Sequence, residues 1–314
     1  MTTAPIERTF RVMNTDALIV VHPLRARRED AERAMCAAED RTREIEQIFS
    51  RFIPSSELCR LNAAAGVWSD VSDEMAAVLE LSLRLHEETG GIFDPAVLPD
   101  LERAGYDRTF DALPPERPAA DAPGGPQFTF VEVEHRRGRW RMPQGMRIDL
   151  GGIVKGWAAD LLANELASLG PVLVELGGDT AVRGVPPDRD AWDIGVQVPG
   201  AVGELLTILN VDQGGVATSG RDRRKWQMGT ESAHHLIDPR TRRPALTDLM
   251  QVTALGPSAS LAEVWAKTAL IAGSAASAGV IARHRDIHLL LVPENGTAAM
   301  SPGVRLAHAA VAST

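Results

Sequence analysis

The chain has 314 residues, 44% hydrophobic and 24% charged, with a formal net charge of −9; it can bury a substantial core, as one large domain or as two lobes sharing a cleft. The acidic balance argues against a nucleic-acid partner, although the basic cluster Arg221 to Lys225 could still meet an anion. No segment approaches a membrane span, Ala17 to Val21 is too short for a signal-peptide core, and Cys36 and Cys59 form no C-x-x-C pair or ligand cluster, so a cytoplasmic protein with reduced structural thiols is expected.

A long amphipathic helix is predicted over Arg27 to Phe52, where Ala31, Met35, Ile45, Ile48, Phe49 and Phe52 form an apolar stripe among acids and arginines. A polar loop is expected from Ile53 to Ser69. A second helix starts at Ser72 as N-cap, carries Asp73 and Glu74 in its first turn and stops at Gly90. The segment Gly91-Ile-Phe-Asp-Pro95 follows at once. Asp111 to Gln127, rich in Pro, Ala, Asp and Gly and without hydrophobic periodicity, reads as an exposed, mobile loop or lobe boundary. Phe128 to Glu134 and Arg139 to Met142 then flank His135-Arg-Arg-Gly138 as a hairpin.

Asp149-Leu-Gly-Gly-Ile-Val-Lys-Gly-Trp-Ala-Ala-Asp160 is the most informative stretch. Met146 to Leu150 is predicted to enter as a short strand, and Val154, Trp157, Ala158, Leu161, Leu162 and Leu166 continue at helical spacing. Free amides at a helix start carry partial positive charge and attract anions, and glycines let a ligand approach the backbone. Lys155 opposes the helix dipole in the first turn unless an anion compensates it. The chain has only three lysines, Lys155, Lys225 and Lys267, its other basic residues being arginine, so a lysine kept beside glycines suggests a wanted ammonium. The alternative is a tight strand-to-helix turn with a solvated lysine. Neither G-x-G-x-x-G nor the Walker spacing is present, which disfavours a dinucleotide-binding Rossmann fold.

Downstream, Val172 to Leu176 is a buried strand ending in Gly177-Gly178-Asp179, and Trp192 to Val198 and Leu205 to Val211 are further strands. Gly214 to Gly220 reads as a second glycine-flanked turn. His234 to Asp238 is a strand edge broken by Pro239, Met250 to Leu255 a strand, Leu261 to Ala272 and Ala275 to His284 helices, and Ile287 to Val292 a last strand turned at Asn295-Gly296. This mixture is α+β rather than regularly alternating.

His234-His235-Leu-Ile-Asp-Pro-Arg-Thr241 gathers an imidazole, a carboxylate, a guanidinium and a hydroxyl at one strand end. Adjacent strand residues face opposite sides, so at most one histidine should face a given cleft; equally, Asp238-Pro239 could simply start a turn while the histidines satisfy backbone groups. Glu263 and Lys267, four apart on a helix, could form an ordinary ion pair, or the carboxylate could hold magnesium beside a phosphate. Asp179 could orient a ligand hydroxyl or only shape its turn. Ser219 is not in G-x-S-x-G, which argues against a serine hydrolase.

In chain order, Ser56-Glu-Leu-Cys-Arg-Leu-Asn62, Gly90-Gly-Ile-Phe-Asp-Pro95, Asp149-Leu-Gly-Gly-Ile-Val-Lys-Gly156, Glu175-Leu-Gly-Gly-Asp179, Ala217-Thr-Ser-Gly220 and His235-Leu-Ile-Asp-Pro-Arg-Thr241 together resemble the ApbE family of FAD:protein FMN transferases, over about Phe49 to Gly273. The resemblance implies one domain over residues 1–314, with a two-lobed, T-fold-like α+β architecture of mixed sheets and packed helices and a flavin cleft between the lobes. It implies cleavage of the FAD pyrophosphate, attachment of FMN through a phosphoester to a Thr or Ser hydroxyl of a target flavoprotein, and release of AMP. Some members mainly hydrolyse FAD.

By position, Phe93, Asp94, Asp149, Lys155, Asp179, Thr218 and Ser219 are expected at the flavin nucleotide, and His235 matches the catalytic base. Magnesium is held in the family by a glycine-turn carbonyl, here Gly152, and by an Asp with a Thr or Asp four residues on, here Glu263 and Lys267. A protonated lysine cannot coordinate a metal. Either Lys155 and Lys267 together hold the pyrophosphate, or the metal binds through Glu263 with Lys267 turned away. Most members begin with an export signal and this chain shows none, so an intracellular acceptor is expected. An FAD pyrophosphatase and a non-catalytic FAD-binding protein are the alternatives.

Overall fold

The computed structural model describes residues 4–307 apart from residues 25, 115, 119–124 and 202. Its helices among the described residues are α1 (Arg28–Phe49), α2 (Glu57–Ala63), α3 (Asp73–Glu88), α4 (Leu98–Arg103), α5 (Val154–Leu166), α6 (Ala259–Ala272) and α7 (Ser274–Ile281). The main sheet has eight strands, β1 (Ile6–Val12), β2 (Thr15–Val21), β3 (Val172–Leu176), β4 (Asp179–Arg183), β5 (Gly214–Gly220), β6 (Leu249–Gly256), β7 (His288–Pro293) and β8 (Ala299–Met300). They lie side by side in chain order and every neighbouring pair is antiparallel. The expected α+β class is what the structure shows. No helix of the described residues is long and apolar enough to cross a membrane.

Strand alternation sorts the core by face. Ile19 and Val21 of β2, Val172, Val174 and Leu176 of β3 and Ala181 of β4 pack beneath α1, α3 and α5. The same helix-covered side continues where Ala217, Val252, Ala254 and Leu289 meet α6. The opposite face, with Val20, Leu173, Val182, Val216 and Leu255, is covered by the hairpin Trp192–Gln197 and Leu205–Val211. A smaller cluster gathers Leu101, Ala104 and Tyr106 with Trp226, Met228, Ala233 and Ile237.

The start of α5, after the turn that follows Asp149, owes its position to two close approaches. A Cβ on Gly156 would lie 2.5 Å from the Ala259 carbonyl oxygen, and one on Gly215 would collide with the Ala259 amide. These glycines therefore let α5 and β5 close around the first turn of α6. Asp160 locks the contact: Oδ1 accepts from Ala259 N at 3.0 Å, and Oδ2 accepts from Ser260 N and Ser260 Oγ, both at 2.9 Å. Arg183 donates to the same carboxylate at 3.1 Å. A side chain on one helix thus satisfies orphan amides at the start of another.

Several expectations are corrected. Gly214 to Gly220 is a central strand and not a turn, paired through Val216 with Thr180 and through Thr218 with Thr253; its glycines serve the approach of α6. Met146 to Leu150 is extended but joins no strand ladder. Asn62 replaces the ladder, accepting from Ile148 N at 2.8 Å and donating to Ile148 O at 3.0 Å, while Asp149 N donates to Pro95 O at 2.9 Å. The loop expected over Ile53 to Ser69 contains α2, whose N-cap Ser56 accepts from Cys59 N at 3.0 Å.

Phe128 to Glu134 holds a 3-10 turn, Phe130–Glu132, leaving a hairpin of Glu134–Arg136 with Arg139–Arg141. Phe52 lies beyond α1. In the loop expected over Asp111 to Gln127, residues 115 and 119–124 fall outside the described residues, and Glu116–Arg117 forms a short strand parallel to Gln227–Met228. The β1–β2 hairpin and β4 were not anticipated. The helices at Ser72, Val154 and Ser258 and the strand Val172–Leu176 stand close to their expected bounds, with Ser72 capping Met75 N at 3.2 Å.

The crossing at Gly156 is testable by Gly156→Ala. Helix propensity would stabilise by about 1 kcal/mol, but the clash is with backbone, and overpacking of this kind costs about 1–3 kcal/mol. A net fall in stability, read as a lower midpoint in thermal unfolding, is the expected result; an unchanged or higher midpoint contradicts the close crossing.

Candidate functional site

A cleft of about 610 Å³ opens between the helix-covered face of the sheet and the smaller Tyr106–Trp226 cluster, a size usual for a small-molecule site. The structure brings Phe93, Asp94, Asp149, Gly152, Lys155, Asp179, Thr218, Ser219, His235, Glu263 and Lys267 to its walls. They come from six separated regions of the chain, at 93–94, 149–155, 179, 218–219, 235 and 263–267.

Its floor is a cluster of two ammoniums and two carboxylates, each side chain less than one-fifth exposed. Lys155, in the first turn of α5, donates to Asp179 at the start of β4 and to Glu263 Oε1 at 3.0 Å. Glu263 Oε2 accepts from Gly156 N at 2.9 Å, which uses an orphan amide of α5. One turn along α6, Lys267 Nζ donates to Gly152 O at 2.6 Å and stands 3.8 Å from Glu263 Oε1. Gly152 and Glu263, expected to face magnesium, therefore face an ammonium. Among the described residues there is no group of three or more His, Cys, Asp or Glu side chains that could hold a metal ion.

Burial and proximity set the charges. Burial pushes the Asp179 carboxyl up to about 7, and the nearby Glu263 adds to this against the pull of Lys155. Burial alone would raise Glu263 as well, but Lys155 and Lys267 hold it below the usual carboxylate range. Burial opposes the charge on Lys155, yet Asp179 and Glu263 raise its affinity for the proton. The cluster is close to neutral, and it can exchange a carboxylate partner for an incoming anion.

Asp94 braces the wall. Oδ1 accepts from Ala96 N at 2.8 Å and Phe130 N at 3.2 Å, and His86 Nδ1 donates to Phe93 O at 2.9 Å. These bonds fix the buried Phe93. Burial raises the Asp94 carboxyl to about 6, against the backbone donors and His86. Asp149 Oδ1 accepts from Gly151 N at 2.9 Å, and Oδ2 lies 3.6 Å from Arg51 Nε. Arg51 in turn lies over the rings of Phe52 and Tyr106, 4.1 and 4.6 Å from their centroids. Thr218 and Thr253 share a hydroxyl bond of 2.9 Å across β5 and β6, and Ser219 is buried beside them.

The strand edge expected over His234 to Asp238 is instead the end of a strand, Glu231–His234, a bend at His235 and a short strand Ile237–Asp238, and the two histidines face different surroundings. His234 is buried, its Nε2 donating to Ala245 O at 3.1 Å and its Nδ1 accepting from Leu236 N at 3.3 Å; burial pushes it down to about 4. His235 lines the cleft, and its Nδ1 is shielded from water without a hydrogen-bond partner among the described residues. Burial, then Arg224, His234 and Lys267, hold this imidazole well below its usual range. It is a neutral ring with an uncommitted nitrogen at neutral pH.

Arg51 and Arg224 also line the cleft. The Arg224 guanidinium has no hydrogen bond or ion pair among the described residues. It lies in the basic run singled out in the sequence. Nothing distinguished Arg51, because arginine is this chain's ordinary surface cation.

The ApbE family model matches residues 13–291. The chain is 30% identical over 281 residues to the FAD:protein FMN transferase of Treponema pallidum, covering 82% of this chain and 76% of that protein. It is 27% identical over 261 residues to the FAD:protein FMN transferase of Escherichia coli strain K12, covering 80% and 74%. Its fold is similar to the crystal structure of the ApbE protein of Thermotoga maritima, with a TM-score of 0.83, 25% identity and coverage of 95% and 97%. The flavin transferase ApbE of Vibrio cholerae shares the fold at a TM-score of 0.78 and 22% identity, with coverage of 95% and 97%.

The raised Asp94 carboxyl carries a pH signature. Its folded value of about 6 exceeds the ordinary 3.8, so its contribution is full below the ordinary value and is lost as pH rises through about 6. Relative to Asp94→Asn, which keeps an acceptor oxygen, the parent protein should lose roughly 2 kcal/mol between pH 4 and 7. Urea unfolding of both proteins at the two pH values measures this; a constant difference would contradict the buried, proton-binding carboxyl.

Proposed function

The chain belongs to the ApbE family, and from that premise we propose that it is a flavin transferase that takes FAD as substrate, moves FMN to a Thr or Ser hydroxyl of a target flavoprotein and releases AMP. One observation carries the reading: a neutral imidazole with a free nitrogen shares a cleft with an ammonium set at a helix start. Phosphoryl transfer asks for both a proton acceptor and charge neutralisation, and little else from the protein.

His235 takes the proton of the acceptor hydroxyl. The hydroxyl oxygen bonds to the FMN-side phosphorus, the bond from that phosphorus to the bridging oxygen breaks, and the bridging oxygen leaves on AMP. Lys155 and the unpaired Arg224 neutralise the pyrophosphate as charge moves onto the leaving group. Phe93 supplies an apolar wall for the isoalloxazine, and its backbone position is held by His86 and Asp94.

The magnesium implied by the family does not fit these residues. The Gly152 oxygen is 2.6 Å from an ammonium, and the Glu263 oxygens are taken by Lys155 and by the Gly156 amide.

Incubation with FAD and a candidate flavoprotein, followed by AMP release and protein-bound flavin fluorescence, tests the proposal. His235→Ala should lower transfer by about 10²–10⁴-fold while FAD affinity changes little. AMP and free FMN without labelled protein would make water the acceptor, and tight FAD binding without AMP would make the protein a carrier. The pH profile is a second check. Because the imidazole is held below its ordinary 6.5, transfer measured in Asp179→Asn, which removes the carboxyl that titrates near 7 in the same cleft, should stay flat as pH falls from 8 through 6.5, whereas a half-maximal rate near 6.5 would contradict His235 as the base.

A further inference from the structure

We propose that the Lys267 ammonium takes the place of a divalent cation in this cleft, so that FAD binding and pyrophosphate cleavage here require no metal. The inference rests on the flavin-transferase reading and names how that site neutralises its substrate. Four observations lead to it.

First, Lys267 Nζ donates to Gly152 O at 2.6 Å, which puts a positive charge on the oxygen where a cation would bind. Second, the space is filled. A Cβ on Gly152 would lie 2.8 Å from Nζ, so the ammonium already packs against the glycine face. Third, the carboxylate oxygens are committed: Glu263 Oε2 to the Gly156 amide at 2.9 Å and Oε1 to Lys155 at 3.0 Å. A magnesium ion needs a near-octahedral oxygen shell at about 2.0–2.1 Å, and an ammonium within reach of its ligands would repel it.

Fourth, the position of Lys267 is fixed and not incidental. It lies four residues after Glu263 on α6, with Nζ 3.8 Å from Glu263 Oε1, and Asp160 anchors the start of that helix. Lysine is scarce in this chain, with two of its three copies on this cleft. Arg224 lines the same cleft and adds a third cation to these two lysines where a diphosphate would sit.

The chemistry is that of the transfer described above. The acceptor oxygen–phosphorus bond forms, the bond from phosphorus to the bridging oxygen breaks, and the electron pair leaves on AMP. Lys267 and Lys155 stabilise that charge by hydrogen bonds from protonated nitrogens.

The test titrates the protein with FAD by flavin fluorescence, in EDTA and in millimolar magnesium chloride, and measures AMP release under both conditions. Affinity and rate in EDTA should match those in magnesium. Lys267→Thr, which supplies an oxygen instead of a cation, should bind FAD about 10–100-fold more weakly in EDTA and recover in magnesium. Calorimetry with magnesium alone should show binding to the variant and none to the parent. A tenfold loss of parent FAD affinity in EDTA, or magnesium binding to the parent, overturns the proposal while leaving flavin transfer standing. Undiminished FAD binding by the folded variant in EDTA overturns it as well. A parent that binds no FAD in either condition removes the flavin reading, and this inference with it.

Discussion

The site depends on how closely α5 approaches the first turn of α6. Gly156 allows the backbones to meet, and Asp160 ties the α6 amides to α5. Only at that separation can Glu263 reach the Gly156 amide, and only then can Lys267 reach the Gly152 carbonyl. The same approach requires Gly215 in β5, because α6 begins directly over that strand. Packing of glycine against backbone thus sets the geometry of four charged groups that lie far apart in sequence.

The cluster is built for an incoming anion more than for stability. Taking charges out of water costs several kcal/mol per ion, which pairing recovers only with good geometry. Here each carboxylate has an ammonium beside it, and Asp179 is poised near neutrality at about 7. An arriving phosphate can replace a carboxylate as partner to Lys155 while α6 stays in place. Across the cleft, burial keeps the His235 ring neutral, and its Nδ1 has no hydrogen-bond partner among the described residues.

Much of this was legible in the sequence. The helix after Asp149 declared itself through its apolar spacing and its scarce lysine, and the separated motifs pointed to one cleft. What stayed hidden has physical causes. Gly214 and Gly215 read as turn residues because local sequence cannot distinguish a glycine needed for a turn from one needed for a neighbouring helix. Asn62 acts on Ile148 from 86 residues away, and Lys267 on Gly152 from 115; neither contact leaves a periodic trace. Nothing in the sequence marks Asp160, whose carboxylate caps another helix. The ion-pair reading of Glu263 and Lys267 was near the truth but missed that each has a stronger partner on α5 or its entry turn.

The proposed activity splits FAD in this cleft and places FMN on a protein hydroxyl. The most direct measurement is mass spectrometry of an acceptor flavoprotein after incubation with the enzyme and FAD, with AMP quantified in the same mixture. The account predicts a mass gain of one FMN on a Thr or Ser of the acceptor, with one AMP released for each flavin attached. An acceptor of unchanged mass in a mixture where FAD is bound or hydrolysed would contradict it.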